Sequence, residues 1–255
     1  MSTYLHVPTP PLGEFVDLIW VCEGYARPHP QERLRPSGEM NLVVASNHSG
    51  RVWSVASGVF TGPATIDTSR PFDIIGVSFK AGRAFPFFPM PAGELQNQFV
   101  PLDALWGAHA DDVAAGLAAK RSPVEKAAAL ELALLAAARG RLGGHPAVRY
   151  AVGELGRQRS VGNVVERVGL SQRRFIEVFR NEVGVTPKAF SRLRRFQKVL
   201  GFIERSTEVD WTEVALAAGY FDQAHFNHDF REFAGVNPST YLKYRASRNH
   251  LAVPD

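Results

Sequence analysis

Two short stretches of the chain carry side chains that can hydrogen-bond to the edges of DNA bases. In the first stretch these are Gln172, Arg173 and Glu177, and in the second they are Gln223 and Asn227. Such side chains match the donor and acceptor patterns of base pairs in the major groove, provided that an α-helix carries them there. Polar residues also solvate the outer face of any amphipathic helix, so the elements that hold these side chains must decide between the two interpretations.

Each stretch lies in a predicted helix-turn-helix unit, and the chain contains this unit twice. Apolar residues recur at i, i+3, i+4 and i+7 from Val161 and again from Trp211, which predicts a short first helix in each copy. Ser160 and Asp210 precede these helices as N-cap residues, and Glu213 completes a capping-box pattern in the second copy.

The second helix of each unit is anchored by two phenylalanines spaced by four residues. These are Phe175 and Phe179 in the first copy, and Phe226 and Phe230 in the second. A turn glycine precedes each helix, and a second glycine and a capped proline follow it: Gly169, Gly184 and Pro187 in one copy, Gly219, Gly235 and Pro238 in the other.

The face opposite the phenylalanines is expected to contact DNA. Its residues are Gln172, Arg173, Arg174, Ile176, Glu177 and Arg180 in the first copy, and Gln223, Ala224, His225, Asn227 and His228 in the second. Two copies with matching turns and caps make simple solvation the less favoured interpretation.

A basic connector joins the two units. Residues 157–205 hold 12 Lys or Arg against 4 Asp or Glu, whereas residues 206–255 hold 4 against 7. The predicted helix 187–205 alternates apolar and basic residues, so Arg194 and Arg195 are expected on an exposed flank that contacts phosphates. Its 19 residues span about 28 Å at 1.5 Å per residue. With the flanking helices added, this approaches the ~34 Å repeat of B-DNA, so both second helices can enter successive major grooves.

The segment from about Pro146 to Tyr244 resembles the DNA-binding domain of AraC/XylS-type transcription regulators. The stretch ALAAGYFDQAHFNHDFREFAGVNPSTYL carries the resemblance, with an alanine before the turn, the two phenylalanine anchors of one FxxxF motif and a final G-x-x-P-x-x-Y. The resemblance implies seven helices, the first beginning at Pro146, and double-stranded promoter DNA as the partner. A regulator of this class also implies RNA polymerase and a small-molecule effector as further partners, and a monomer or a homodimer. The acidic second unit departs from the basic first one, which predicts that the first supplies most of the electrostatic grip.

Residues 1–144 have a different pattern, in which short β-branched and aromatic runs alternate with Pro and Gly clusters. The runs are FVDLIWVCEGY, MNLVVA, VWSVASGVF and PFDIIGVSFKAG. They predict an antiparallel β domain, cupin-like or barrel-like, whose part from about 105 to 140 is helical. The fold class is then α+β: a sensor or oligomerisation domain over 1–144, and a DNA-binding domain over 145–255 with units at about 161–183 and 211–234. RGRLGGHP forms the predicted hinge between them. The SPVEKAAALELALLAAARG helix presents a wide apolar face for an intramolecular dock or a dimer contact.

Aromatic residues of this first domain offer a lining for a small, mostly apolar ligand. The candidates are Trp20, Trp53 and Phe79, with Arg35, Glu39 and Arg83 to orient the ligand. A plain hydrophobic core explains the same aromatic residues. Without a ligand, the domain would only dimerise or bind a partner protein.

Several function classes are disfavoured by the composition. The histidines at 6, 29 and 48 lack the paired spacing of a metal site, and no Gly-rich phosphate loop or G-x-S-x-G occurs, so we expect no catalysis, cofactor or metal. The lone Cys22 cannot form an internal disulfide, and no apolar run approaches the roughly 18 residues of a membrane span. A cytoplasmic protein is expected.

Overall fold

The computed structural model describes residues 2–26, 29–138, 142–205, 209–244 and 250–252. It confirms the α+β class, with antiparallel strands first and a helical part after them. The strands are β1 (Ser2–His6), β2 (Val16–Tyr25), β3 (Gln31–Leu34), β4 (Asn41–Asn47), β5 (Val52–Ser57), β6 (Ala64–Asp67), β7 (Phe72–Phe79), β8 (Phe99–Pro101) and β9 (His250–Ala252).

The strands form two antiparallel sheets. The larger sheet has the order β1-β2-β7-β4-β5-β8, and the smaller has the order β6-β3-β9. In the part of the chain that the structure describes, β1 and β8 are the two edges of the larger sheet and do not pair with each other, so this sheet is open rather than a closed barrel. β9, from the last described segment, pairs with β3 in the register Arg33 to Leu251, so a strand of the predicted DNA-binding range joins the N-terminal sheet.

Three helices follow the strands of the first part: α1 (Asp103–Trp106), α2 (Ala108–Ala118) and α3 (Pro123–Ala138). α3 begins with a reciprocal capping box, in which the Glu125 amide donates to Ser122 Oγ at 3.2 Å and the Ser122 amide donates to Glu125 Oε2 at 3.1 Å. The helix buries Leu130 and Leu134 and packs on β1 and β2, which is an intramolecular dock.

The described residues contain seven helices from Pro146 onward, which is the number that the resemblance implies. They are α4 (Pro146–Gly156), α5 (Val161–Val168), α6 (Gln172–Val183), α7 (Pro187–Arg205), α8 (Trp211–Ala217), α9 (Gln223–Ala234) and α10 (Pro238–Tyr244). None of the helices in the described ranges has the length and hydropathy that a membrane span requires.

A continuous hydrophobic core runs through both parts of the chain. At the junction, Gly82 lies against Val148 and Val183, and Gly184 lies against Val59. The predicted hinge lies partly outside the described residues, at 139–141. Its described end is held, because the His145 amide donates to both carboxylate oxygens of Glu182, at 2.8 and 3.1 Å.

Candidate nucleic-acid interface

The first unit consists of α5 and α6, which meet at Gly169 in the left-handed conformation (φ 68°). Ser160 caps α5 by accepting from the Asn163 amide at 3.2 Å, and Ser171 caps α6 by accepting from the Arg174 amide at 3.3 Å. These bonds satisfy helix amides that have no partner within the helix, and so fix where α6 begins.

The two phenylalanines of α6 face inward, as the spacing predicts. Phe175 and Phe179 have no exposed surface, and their ring centroids are 5.7 Å apart. The face turned to solvent carries the exposed residues Gln172, Arg173, Arg174 and Glu177, while Ile176 is half-buried. The Arg174 guanidinium pairs with the Glu177 carboxylate at 3.1 Å, which leaves Gln172 and Arg173 at the N-terminal end of the helix for an incoming ligand.

Arg180 is placed differently from its neighbours on α6. Its guanidinium Nη2 donates to the carbonyl oxygen of Gly93 at 3.4 Å, and its side chain covers Gly93 so closely that a Cβ there would lie 2.8 Å from Arg180 Cγ. Gly93 belongs to a 3-10 turn (Ala92–Glu94) of the first domain. The predicted DNA contact Arg180 therefore lies in the contact between the two parts of the chain.

The second unit consists of α8 and α9 and repeats the geometry of the first. Asp210 caps α8 by accepting from the Thr212 and Glu213 amides at 2.8 and 3.1 Å, and Asp222 caps α9 by accepting from the His225 amide at 2.7 Å. The anchors Phe226 and Phe230 of α9 are fully buried. The predicted contact residues of this helix are all exposed: Gln223, Ala224, His225, Asn227 and His228.

A buried carboxylate on α9 binds the connector helix. Asp229 has a side chain that is 3% exposed, and it accepts from Arg192 Nη2 at 2.7 Å. Arg195 lies 3.7 Å from the other Asp229 oxygen, and its guanidinium covers the ring of Tyr220 at 5.3 Å. The expectation that Arg195 lies on an exposed basic flank is wrong, since opposite charge and an aromatic face draw it inward.

The same carboxylate forms a small acidic and histidine cluster with Glu232 and His228. Their ligand atoms lie within 4.8 Å of one another, close enough to share a cation. The Arg192 guanidinium already fills this position, because it donates to both Asp229 and Glu232. The cluster therefore serves to join α7 to α9.

Arg194, the other predicted connector contact, is half-buried and faces the first domain near Glu39. Burial, aided by the negative charge of Asp17 and opposed by the positive charge of Arg194, raises the pKa of the Glu39 carboxyl to about 7. Two residues of α7 beside Arg194 also contact this domain: Leu193 covers Gly38, and the Gln197 amide donates to the Pro36 carbonyl.

The aromatic residues predicted for an effector pocket lie in different places. Trp20 lies directly on Gly76, whereas Phe79, three residues further along β7, points to the opposite face of the sheet and is fully buried against Phe87. Trp53 is 38% exposed and packs on Phe72. A plain core position is the better description of Phe79.

The polar candidates are also separated. Arg35 pairs with Glu204 at 3.0 Å and contacts the Tyr241 hydroxyl, and the Arg83 guanidinium lies 5.7 Å from the ring centre of Phe15. Arg35 therefore joins the N-terminal part of the chain to the helical part.

A groove of about 260 Å³ lies where the two parts of the chain meet. Its polar lining consists of Lys80, Arg83, His145, Arg149 and Glu182, and its apolar lining includes Val148 and Val152. Burial raises the pKa of the Glu182 carboxyl, while the hydrogen bond from the His145 amide opposes that rise. The charges around the groove are mostly positive, so it suits a small anion.

Two long-range contacts within the helical part of the chain were not predicted from the sequence. The Gln158 side-chain amide donates to the Ala218 carbonyl at 2.7 Å, across 60 residues, and Arg192 reaches Asp229 across 37. No local pattern announces such pairs. The one sequence signal for the second pair is Asp229, which lies three residues after Phe226 and therefore on the buried side of α9.

Two family matches cover separate parts of the chain. Residues 164–244 match the family described as "Helix-turn-helix domain", and residues 4–101 match the family described as "Domain of unknown function (DUF6597)". A curated relative, an uncharacterized HTH-type transcriptional regulator of Haemophilus influenzae, is 28% identical over 83 residues. That alignment covers 32% of this chain and 28% of the relative, so the chain spans less than a third of the relative's length.

Solved structures that match this chain include the C-terminal domain of AraT, a response regulator from Geobacillus stearothermophilus, at 24% identity and a TM-score of 0.37. It covers 40% of this chain and 88% of its own. ToxT from Vibrio cholerae O395, bound to (E)-4-(8-methylnaphthalen-1-yl)but-3-enoic acid, is 7% identical with a TM-score of 0.46. It covers 95% of this chain and 99% of its own. The family match over residues 164–244 falls on the two capped helix-turn-helix units and the long helix that joins them, so this part of the chain is similar to that helix-turn-helix family.

Proposed function

We propose that this protein is a sequence-specific DNA-binding transcription regulator in which both helix-turn-helix units of the domain 145–255 contact promoter DNA. The observation that carries the proposal is the exposed N-terminal half of two helices, α6 and α9, each fixed by a side-chain cap and two buried phenylalanines. A recognition helix enters the major groove with its N-terminal residues against the bases, and these are the exposed ends.

The two units contribute differently to binding in this proposal. Arg173 and the lysines Lys188 and Lys198 are exposed basic residues of the first unit and the connector, and they supply attraction to phosphates. The second unit is acidic, and Arg192 and Arg195 of the connector neutralise its Asp229 instead of facing outward. Its contribution is base selection through Gln223 and Asn227.

The first domain, residues 1–144, sets the relative position of the two units. It contacts α6 at Gly93, α7 at Gly38 and Pro36, and the turn after α9, where Gly235 lies against Arg33. These contacts reach both units, so a change in the first domain changes how the units present themselves to DNA.

Control by a small molecule has a physical requirement: the molecule must bind one arrangement of the two parts more tightly than another. The groove lined by Lys80, Arg83 and Arg149 supports such control by its position, because it touches both the first domain and α4. A first domain that only dimerises or binds a partner protein would act through the same contacts. A melting temperature that rises with small carboxylates favours the first mechanism, and one that depends on protein concentration alone favours the second.

Selection of bound duplexes from a random DNA library by the full-length protein, at two salt concentrations, tests the proposal. We expect a motif of two short elements about one helical turn apart, roughly 10 base pairs. A variant that carries both Arg173→Ala and Asn227→Ala is the control and should recover no motif. If the unaltered protein enriches no motif at either salt concentration, the proposed function is wrong.

A further inference from the structure

The turn of the second unit is one residue longer than the turn of the first. One residue separates Gly169 from the cap Ser171, whereas two residues separate Gly219 from the cap Asp222. Of these two, Tyr220 is the inward one: it is 4% exposed, and its ring centroid lies 5.4 Å from that of Phe226.

The additional residue is Phe221, and its side chain is not part of the hydrophobic core. Its side chain is 87% exposed, the highest value among the large apolar residues in the described part of the chain. An exposed phenylalanine is unfavourable in water in proportion to its apolar area, so this position offers a ligand a ready apolar contact.

Phe221 stands at the end of α9 that faces the bases in the proposed function. It directly precedes Asp222, whose carboxylate caps the helix, and Gln223, the first helical residue. Ala224 follows and is exposed, where the first unit has Arg173 at the corresponding position. The start of α9 thus combines two apolar groups with one amide, whereas the start of α6 is polar.

Among the groups that base pairs present in the major groove, the C5-methyl of thymine is the apolar one, and phenylalanine and alanine side chains contact it. We propose that Phe221, with Ala224 beside it, recognises thymine methyl groups in the DNA element bound by the second unit. The inference rests on the proposed function. It explains how an acidic unit with few cations contributes sequence preference, since methyl contacts need no attraction to phosphate.

Replacement of single thymines by deoxyuridine in the selected duplex tests the inference, because only the methyl group is removed. For the unaltered protein we expect about a fourfold loss of affinity at one or two positions of one element, the value for burying one methyl-sized group. Phe221→Ala should bind the thymine and uracil duplexes equally. Leu216→Ala is the matched control, since Leu216 is an exposed apolar residue (62%) of the preceding helix α8 and should leave the thymine preference intact.

The outcomes separate this inference from the proposed function. If Phe221→Ala keeps the full thymine preference while it still binds the selected motif, the methyl contact is wrong and DNA recognition stands. Equal weakening of both duplexes by Phe221→Ala would make Phe221 a general contact and also overturn the inference. If Phe221→Ala binds both duplexes normally but loses self-association, the side chain serves a protein interface instead. A lack of any sequence-specific binding by the unaltered protein is the failure of the proposed function.

Discussion

Arg35 of the first domain lies 3.0 Å from the carboxylate of Glu204, near the end of the connector helix α7. The same guanidinium contacts the hydroxyl of Tyr241 on α10, and its side chain is only 8% exposed. One arginine of the N-terminal part thus joins the connector to α10, the helix that follows the second unit. The first domain therefore contacts the helices on both sides of the second unit.

Removal of this contact should destabilise the chain and loosen the placement of the second unit. We expect Arg35→Ala to lower the free energy of unfolding by about 1–3 kcal/mol, because the partners of a largely buried donor lose their hydrogen bonds. Urea unfolding measures the loss, and binding to duplexes with lengthened or shortened spacing between the elements measures the loosened placement. Arg51→Ala, at an exposed position of the same domain, should change neither quantity. Unchanged spacing tolerance in Arg35→Ala would contradict the bracing role of the first domain.

Asp229 should matter more for stability than any other acidic residue of the second unit. Its replacement by alanine leaves Arg192 and Arg195 without their shared partner, and removing one member of a buried ion pair costs about 3–5 kcal/mol. Chemical denaturation of the full chain is the measurement, with the exposed Asp112→Ala as control. A loss below about 1 kcal/mol would mean that solvent replaces the carboxylate and that the pair does not join α7 to α9.

These two pairs show what the sequence could and could not predict. The helices of both units were predictable because their signals are local: a cap, an apolar period and a turn glycine lie within a few residues of one another. The partners of Arg192, Arg195 and Arg35 were not, because each lies at least 34 residues away in sequence. A count of basic residues predicts a positive surface, but it does not tell which cations a distant carboxylate will neutralise.

The strands also fall into those that local sequence predicts and those that it does not. The long apolar runs became β2, β4, β5 and β7, as predicted. β3 was missed because Gln31–Leu34 is short and contains Glu32 and Arg33, which local pattern assigns to a loop. Pairing with β6 and β9 on either side stabilises it, and both partners are distant in sequence. The prediction that Phe79 lines a pocket was wrong for a related reason. An aromatic run has the same sequence pattern whether it lines a cavity or fills a core.

Glu39 should make the stability of the chain depend on pH. Its pKa is raised from 4.5 to about 7 in the folded protein, so the folded state holds a proton that the unfolded state has already released between these values. The contribution of this proton to the free energy of unfolding is complete below pH 4.5 and is lost as pH rises to 7. The free energy of unfolding then decreases by about 3 kcal/mol, at 1.36 kcal/mol per pKa unit. Glu39→Gln should remove this decrease and be the more stable form at pH 8, while the exposed Glu14→Gln should follow the unaltered protein. Parallel pH profiles for Glu39→Gln and the unaltered protein would place the titration elsewhere.

The variants Arg173→Ala and His228→Ala should distinguish attraction to the phosphate backbone from selection of bases. Arg173 is exposed at the start of α6 in the basic unit, so its removal should lower the slope of log affinity against log salt by about one unit. His228 is 75% exposed beside Asp229 and Glu232, whose negative charges weaken any attraction that it has for phosphate. His228→Ala should therefore leave the salt slope unchanged and cost less affinity than Arg173→Ala, as measured by binding titrations on the selected duplex at several salt concentrations. Equal losses of affinity for the two variants, or the reverse order, would show that the second unit binds the DNA backbone as strongly as the first. The proposed difference between the two units would then be wrong.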